Sequence, residues 1–318
     1  MGPLDRRTFV SLAATLLPFD RGADVSAIPI IDTHIHLFDP TRPQGVPWPP
    51  KDDPVLFKPA LPGRYAGIAE PLGVVGAIEI EASPWLEDNQ WVLDQAASSR
   101  IIVGTVGNLE PGKPDFRKNL DRFGRNPLFR GIRYGNLWGG NLGQRLTEPA
   151  FLADLKALGV ADLALDTANP DPALMADIVR LTDQVHNLRV VIDHLPHFQP
   201  PTEIARRRAY EANLQELGQR PQVYVKISEV LQRINGQIPL DVGAYRARLD
   251  QLWGIFGQDR LLYGSDWPNS DPWGTYAQVL NVVRQYFADK GRSAAEKFFW
   301  RNSVAAYRWI RRSEKQPA

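Results

Sequence analysis

The feature that most constrains this chain is an alternation of eight short apolar, β-branched runs with longer segments of helical period. The runs are Pro29–His34, Val74–Glu81, Ile101–Gly107, Phe129–Tyr134, Ala161–Asp166, Arg189–His194, Val223–Ser228 and Arg260–Asp266, and their starts fall about 27 to 45 residues apart. Runs such as Val-Val-Gly-Ala-Ile-Glu-Ile are almost continuously apolar, as parallel strands covered on both faces require. An antiparallel sandwich would alternate instead. The intervening segments predict helices over Asn89–Ser98, Asp115–Phe123, Glu148–Leu158, Pro172–Val185, Ile204–Gln219, Val242–Phe256 and Tyr276–Lys290, with a last helix over Glu296–Arg311. This count and spacing specify an α/β fold, a single (β/α)8 TIM barrel spanning residues 28–312. A doubly wound open sheet competes, but no glycine-rich phosphate turn follows the first run.

Composition narrows the chemistry. With 318 residues, 43% of them hydrophobic, there is material for one large core. The formal net charge is +1, with 37 basic against 36 acidic residues and no long block of one sign, so no nucleic-acid partner is expected. There is no cysteine, which excludes disulfides, thiolate zinc sites and thiol nucleophiles and leaves His and carboxylate as the donors for any metal. Residues 1–27 resemble a twin-arginine export signal: Arg6-Arg7 precedes a short apolar stretch from Thr8 to Pro18, and small residues follow at Val25-Ser26-Ala27. The apolar stretch is too short to span a bilayer, so a membrane anchor is not expected and the mature protein is expected in the periplasm. Residues 313–318 read as a C-terminal tail.

The strongest local signal is Ile30-Ile31-Asp32-Thr33-His34-Ile35-His36, because side chains two apart on a strand point the same way and two imidazoles can then reach one cation. Alone it is a short pattern that also arises in hydrogen-bonded histidine pairs. Its weight comes from the other run ends: Glu81 ends the second, Arg133 the fourth, Asp166 the fifth, Asp193 and His194 the sixth and Asp266 the eighth, while Lys226 lies in the seventh. A barrel brings all these ends to one face, and so many ionisable groups are hard to account for as packing.

The segments Asp32-Thr33-His34-Ile35-His36, Gly131-Ile132-Arg133, Val191-Ile192-Asp193-His194, Val225-Lys226-Ile227-Ser228 and Tyr263-Gly264-Ser265-Asp266-Trp267-Pro268 resemble, in order and spacing, the amidohydrolase-related family of metal-dependent TIM-barrel hydrolases. The resemblance spans about residues 29 to 312 and lies in its sugar-acid and aromatic-acid lactonase branch. It implies one divalent ion, zinc foremost, on His34, His36, Glu81 and His194, with Asp266 at the edge of the ligand set and acting as base. Two departures stand out. The fifth run ends Leu165-Asp166-Thr167 without a metal-bridging lysine, so a single ion is expected, and His194 is followed by Leu195-Pro196-His197 where relatives continue with Gly and Pro.

These residue types suit hydrolysis of a small-molecule ester. An ion on imidazoles and a carboxylate polarises a carbonyl or acidifies water, and a carboxylate takes the water's proton. Asp266 and His194 are the catalytic candidates. Arg133 and Lys226 are candidates for a substrate carboxylate or hydroxyl, or else structural ion pairs with Asp166 or Glu81. Among tryptophans that follow strand ends, Trp48, Trp85, Trp138, Trp267 and Trp273, Trp267 is the first candidate for a sugar or aromatic ring. The activity expected is a lactonase; a zinc-dependent aromatic-acid decarboxylase on the same barrel and a non-catalytic sugar-binding barrel are the alternatives.

Overall fold

The computed structural model describes residues 24–318. The export segment read in residues 1–27 therefore lies, but for its last four residues, outside the described residues. Of those four, Val25 is buried in the main hydrophobic cluster. Eight strands form one parallel sheet in sequential order: β1 (Ile30–Ile35), β2 (Val74–Ile80), β3 (Ile102–Gly107), β4 (Phe129–Arg133), β5 (Ala164–Thr167), β6 (Arg189–Ile192), β7 (Val223–Ile227) and β8 (Leu261–Tyr263). The sheet curls until its edges meet. His36 N donates to Trp267 O at 2.8 Å and Asp266 N donates to His34 O at 2.9 Å, which closes the barrel. Every strand is nearly buried along its whole length, as the continuous apolar runs require.

The outer layer holds α1 (Pro62–Ala69), α2 (Asp88–Ser98), α3 (Phe116–Gly124), α4 (Leu142–Arg145), α5 (Pro149–Val160), α6 (Pro172–Gln184), α7 (Ile204–Gly218), α8 (Gly243–Phe256) and α9 (Tyr276–Lys290). Local chemistry sets their ends. Asp171 accepts from Leu174 N at the start of α6, and Thr275 and Gln278 form a reciprocal capping box at the start of α9. The long first loop contains α1, which had not been expected there.

Two sequence expectations at the C-terminus need correction. The last helical segment starts at Arg292, includes a π turn over Lys297–Arg301 and ends at Tyr307, because Arg308 takes a left-handed backbone with φ of 51°. Residues 313–318 are not a free tail: Gln316 is buried, and its amide donates to the carbonyls of Val75 and Arg100 at 2.9 Å each. The residues just before this segment stop the N-terminal mouth of the barrel. Ala306, Tyr307 and Trp309 pack into the interior layer with Ile31, Ile78, Ile80, Val103, Val106 and Leu262.

Candidate active site

Asp32 ties the site to the place where the barrel closes. Its Oδ1 accepts from His34 N and Ser265 N at 3.1 and 2.9 Å, and its Oδ2 accepts from the hydroxyls of Tyr65 and Tyr276 at 2.9 and 2.8 Å. One buried carboxylate thus fixes β1 to the end of β8 and to α1 and α9. Gly264 is needed at the same junction, since a Cβ there would lie 2.8 Å from His34 Cβ.

Around this junction three imidazoles converge on one oxygen. Oδ1 of Asp266 lies 3.1 Å from Nε2 of His36, 3.5 Å from Nε2 of His34 and 3.9 Å from Nε2 of His194. Its Oδ2 accepts from Asn269 Nδ2 at 2.7 Å. Nδ1 of His36 donates to Ile80 O at 2.8 Å, which leaves its Nε2 lone pair free. Nδ1 of His194 lies 2.9 Å from Ser228 Oγ. Of these, His36, His194, Asp266 and Asn269 border a cavity of about 200 Å³ that also meets Trp48, Glu81, Arg133, Trp138, Asn169 and Glu229, while His34 is fully buried behind them.

The backbone aims these side chains. Trp138, Asn169, His194, Glu229 and Asp266, which follow β4 to β8 in turn, all have positive φ between 48° and 60°. Left-handed backbone is costly for residues other than glycine, and its recurrence around one cavity is the clustering of strain expected at a functional site.

Burial controls the charges. It pushes His36 down to about 4 and holds His34 and His194 well below the ordinary histidine value, so the imidazoles are neutral at pH 7, the form that binds a metal. Burial raises Asp266 to about 7 and Glu81 to about 7. Glu229 goes higher, to about 8, through burial and then the neighbouring Asp266 charge, so Glu229 is the partner that keeps a proton longer.

The donors fit a divalent ion. His34, His36 and Asp266 offer ligand atoms within 4.8 Å of one another, as do His194, Glu229 and Asp266, and Nε2 of His34 is buried without a hydrogen-bond partner among the described residues.

Three expected site residues lie outside these groups. Glu81 borders the cavity but belongs to none of these groups; it accepts from Trp138 Nε1 at 3.0 Å and from Ser83 N at 3.0 Å. Lys226 does not face the mouth: it is fully buried one layer below, paired with Asp166 at 2.6 Å and Asp193 at 3.0 Å. Trp267 is also fully buried, on the outer side against Tyr65 and Arg64, so it cannot stack on a ligand. Arg133 does border the cavity, with Nε 3.2 Å from Asp193 Oδ2 and NH1 3.9 Å from Glu81. Glu229 and Asn269 had not been singled out. Each lies within three residues of a motif that had been, Glu229 directly after Ser228 and Asn269 three after Asp266.

A parallel eight-stranded barrel with imidazoles and carboxylates gathered at its C-terminal strand ends is the scaffold of a hydrolytic enzyme that works on small molecules at that face. The chain belongs to the amidohydrolase family, whose family model matches residues 31–309. It is similar to an L-fucono-1,5-lactonase of Burkholderia ambifaria, with 30% identity over 305 residues that cover 91% of this chain and 98% of that protein. Among solved structures, a zinc-bound amidohydrolase from Burkholderia multivorans superposes with a TM-score of 0.77 at 20% identity, covering 89% of this chain and 100% of that one. A 2-pyrone-4,6-dicarboxylic acid hydrolase from Pseudomonas putida, so named in its structure, superposes with a TM-score of 0.66 at 21% identity, covering 88% and 97%. The chain is thus an enzyme, a hydrolase, and among the described residues no helix is long and apolar enough to cross a membrane.

Proposed function

We propose that the protein hydrolyses the lactone of a sugar acid or of another carboxylated small molecule. The observation that carries this reading is the convergence of His34, His36 and His194 on Oδ1 of Asp266, at the wall of a cavity that Arg133 also borders. The similarity to an L-fucono-1,5-lactonase over nearly the whole of both chains supports the substrate class.

His34, His36 and Asp266 would hold one divalent ion, zinc first, with His194 beside them. When bound, such an ion supplies Lewis acidity toward the lactone carbonyl and the attacking water. The remaining work falls to the chain. Asp266 accepts the proton of the attacking water and returns it to the ring oxygen that leaves. Glu229 and Asn269 hold Asp266 in place, Asn269 by donating to Oδ2 at 2.7 Å. Arg133 offers a cation to a substrate carboxylate or to the carbonyl oxygen, and Trp48 and Trp138 flank the ring.

The experiment is a pH-indicator screen of sugar-acid and carboxylated lactones with the purified protein. Ring opening releases one acid per turnover. Carbon dioxide release from aromatic acids would favour decarboxylation instead, and ligands recovered intact would favour a binding barrel.

A further inference from the structure

Lys226 is wholly buried in β7, yet among the described residues it is the one cation that touches a histidine of the site. Its Nζ lies 2.6 Å from Oδ2 of Asp166, 3.0 Å from Oδ1 of Asp193 and 3.2 Å from Nδ1 of His34. Two carboxylates beside it mark it as an ammonium, which carries no lone pair, so its contacts with Asp166 and with Nδ1 of His34 are donations, while Asp193 pairs with it by charge. Donation to Nδ1 makes that nitrogen an acceptor. A neutral imidazole then carries its single proton on Nε2. In His34 that is the nitrogen without a hydrogen-bond partner, 3.5 Å from Oδ1 of Asp266. His36 is the opposite tautomer, protonated at Nδ1 by its bond to Ile80 O and bare at Nε2.

We infer that Lys226 is a positioning residue that locks His34 in the Nε2–H tautomer, so that a divalent ion enters the His34–His36–Asp266 group only when the ring proton moves to Nδ1 and the Lys226–His34 hydrogen bond breaks. The consequence for the ion rests on the metal reading proposed above; the tautomer does not. No net charge is created in the exchange. The proton leaves Nε2 and arrives at Nδ1, where Oδ1 of Asp193, 3.5 Å away, is the acceptor that can receive it. Metal-binding histidines ordinarily have an acceptor behind the ring, which favours the metal-ready tautomer; Lys226 puts a donor there and weakens the site.

The test begins with full-length, metal-free protein labelled with 15N-histidine, whose five histidines keep the spectrum assignable. His34 is expected as Nε2–H and His36 as Nδ1–H; an Nδ1–H signal for His34 overturns the inference. Affinity for Zn²⁺, measured by competition with a chromophoric chelator, provides the second reading. Lys226→Gln offers an amide oxygen to an Nδ1–H and should tighten zinc binding by at least about 10-fold, within the range that such backing partners control. Lys226→Arg keeps a donor and should not tighten it. A folded Lys226→Gln protein that binds zinc no more tightly than wild type overturns the lock. If that variant fails to fold because Asp166 and Asp193 lose their cation, the wild-type spectrum decides. Zinc that binds neither protein removes the metal reading, while the spectrum still upholds or overturns the tautomer.

Discussion

Nε2 of His36 stands 3.1 Å from Oδ1 of Asp266, two residues 230 positions apart that meet only because the last strand end closes against the first. The backbone repeats the connection, with His36 N bonded to Trp267 O and Asp266 N to His34 O. The candidate ligand group therefore sits on the closure seam. Its geometry depends on the barrel being complete, which couples the site to global folding rather than to one mobile loop.

Replacing His34 and His36 together with Ala is expected to abolish both bound metal and lactone turnover. Two neutral nitrogen ligands are lost, and Asp266 and His194 alone make a poor site for zinc. Metal analysis of the purified variant, next to its turnover, checks this. Full turnover by chelated, metal-free wild type would instead make the histidines substrate-binding groups.

Arg133 separates charge from shape. Arg133→Lys keeps a cation among Glu81 and Asp193 but loses the planar fork, so it should fold and show a raised KM for carboxylated lactones by about 10-fold or more, with a smaller change in kcat. Arg133→Met leaves two buried carboxylates without that cation and should destabilise the fold by about 3–5 kcal/mol. Thermal melts and steady-state kinetics distinguish the two; a Lys variant with unchanged KM would remove Arg133 from substrate binding.

The strands were legible because parallel strands covered on both faces must be apolar along their length, and all eight expected runs overlap the observed ones. Depth in the barrel was not legible. Lys226 lies two residues before Ser228, so both point inward, but Ser228 reaches His194 at the mouth while Lys226 meets Asp166 and His34 one layer lower. Trp267 directly follows Asp266 but packs outward on Tyr65, because the chain has left β8 and Asp266 takes a left-handed backbone there, which the sequence does not show. Glu81 stands apart from the His–Asp groups for a different reason. A carboxylate at a strand end has several possible partners, and only the three-dimensional placement of Trp138 and Ser83, after β4 and β2, shows which ones hold it.

Glu79 should make the protein less stable as pH rises. It is buried in a narrow hollow behind β2 with Leu37, Phe38, Arg42 and Trp91, and its Oε1 has no hydrogen-bond partner among the described residues. Burial, and then the Glu81 charge, pushes its pKa well above 4.5. In the folded state it holds a proton that the unfolded chain releases near that ordinary value, so its contribution is fully present at low pH and is lost as pH rises toward the folded value. The loss is at most about 1.4 kcal/mol per pH unit. Glu79→Gln removes this dependence: melting temperatures should match wild type near pH 4 and exceed it increasingly toward pH 8. Parallel curves for the two proteins would show that Glu79 is not protonated in the fold.

Asp266→Asn is the decisive substitution for mechanism. The amide keeps the shape and can still meet Asn269, but it cannot take a proton, so turnover should fall by at least about 100-fold while the melting temperature holds. In the wild type the base must be ionised. Because burial raises Asp266 to about 7, its carboxyl in the metal-free form, followed by 13C NMR, should ionise as pH rises through that region, and Glu229, which titrates near 8 and shares the site, broadens the change into two apparent steps. Bound metal, placing positive charge beside Oδ1, should shift the ionisation, and with it the rise of kcat/KM in the metal-loaded enzyme, to lower pH. Turnover near the wild-type rate in Asp266→Asn would exclude it as the base. Loss of metal together with activity would make Asp266 chiefly a ligand, and Glu229, which shares the wall with His194, would be the next carboxylate to replace.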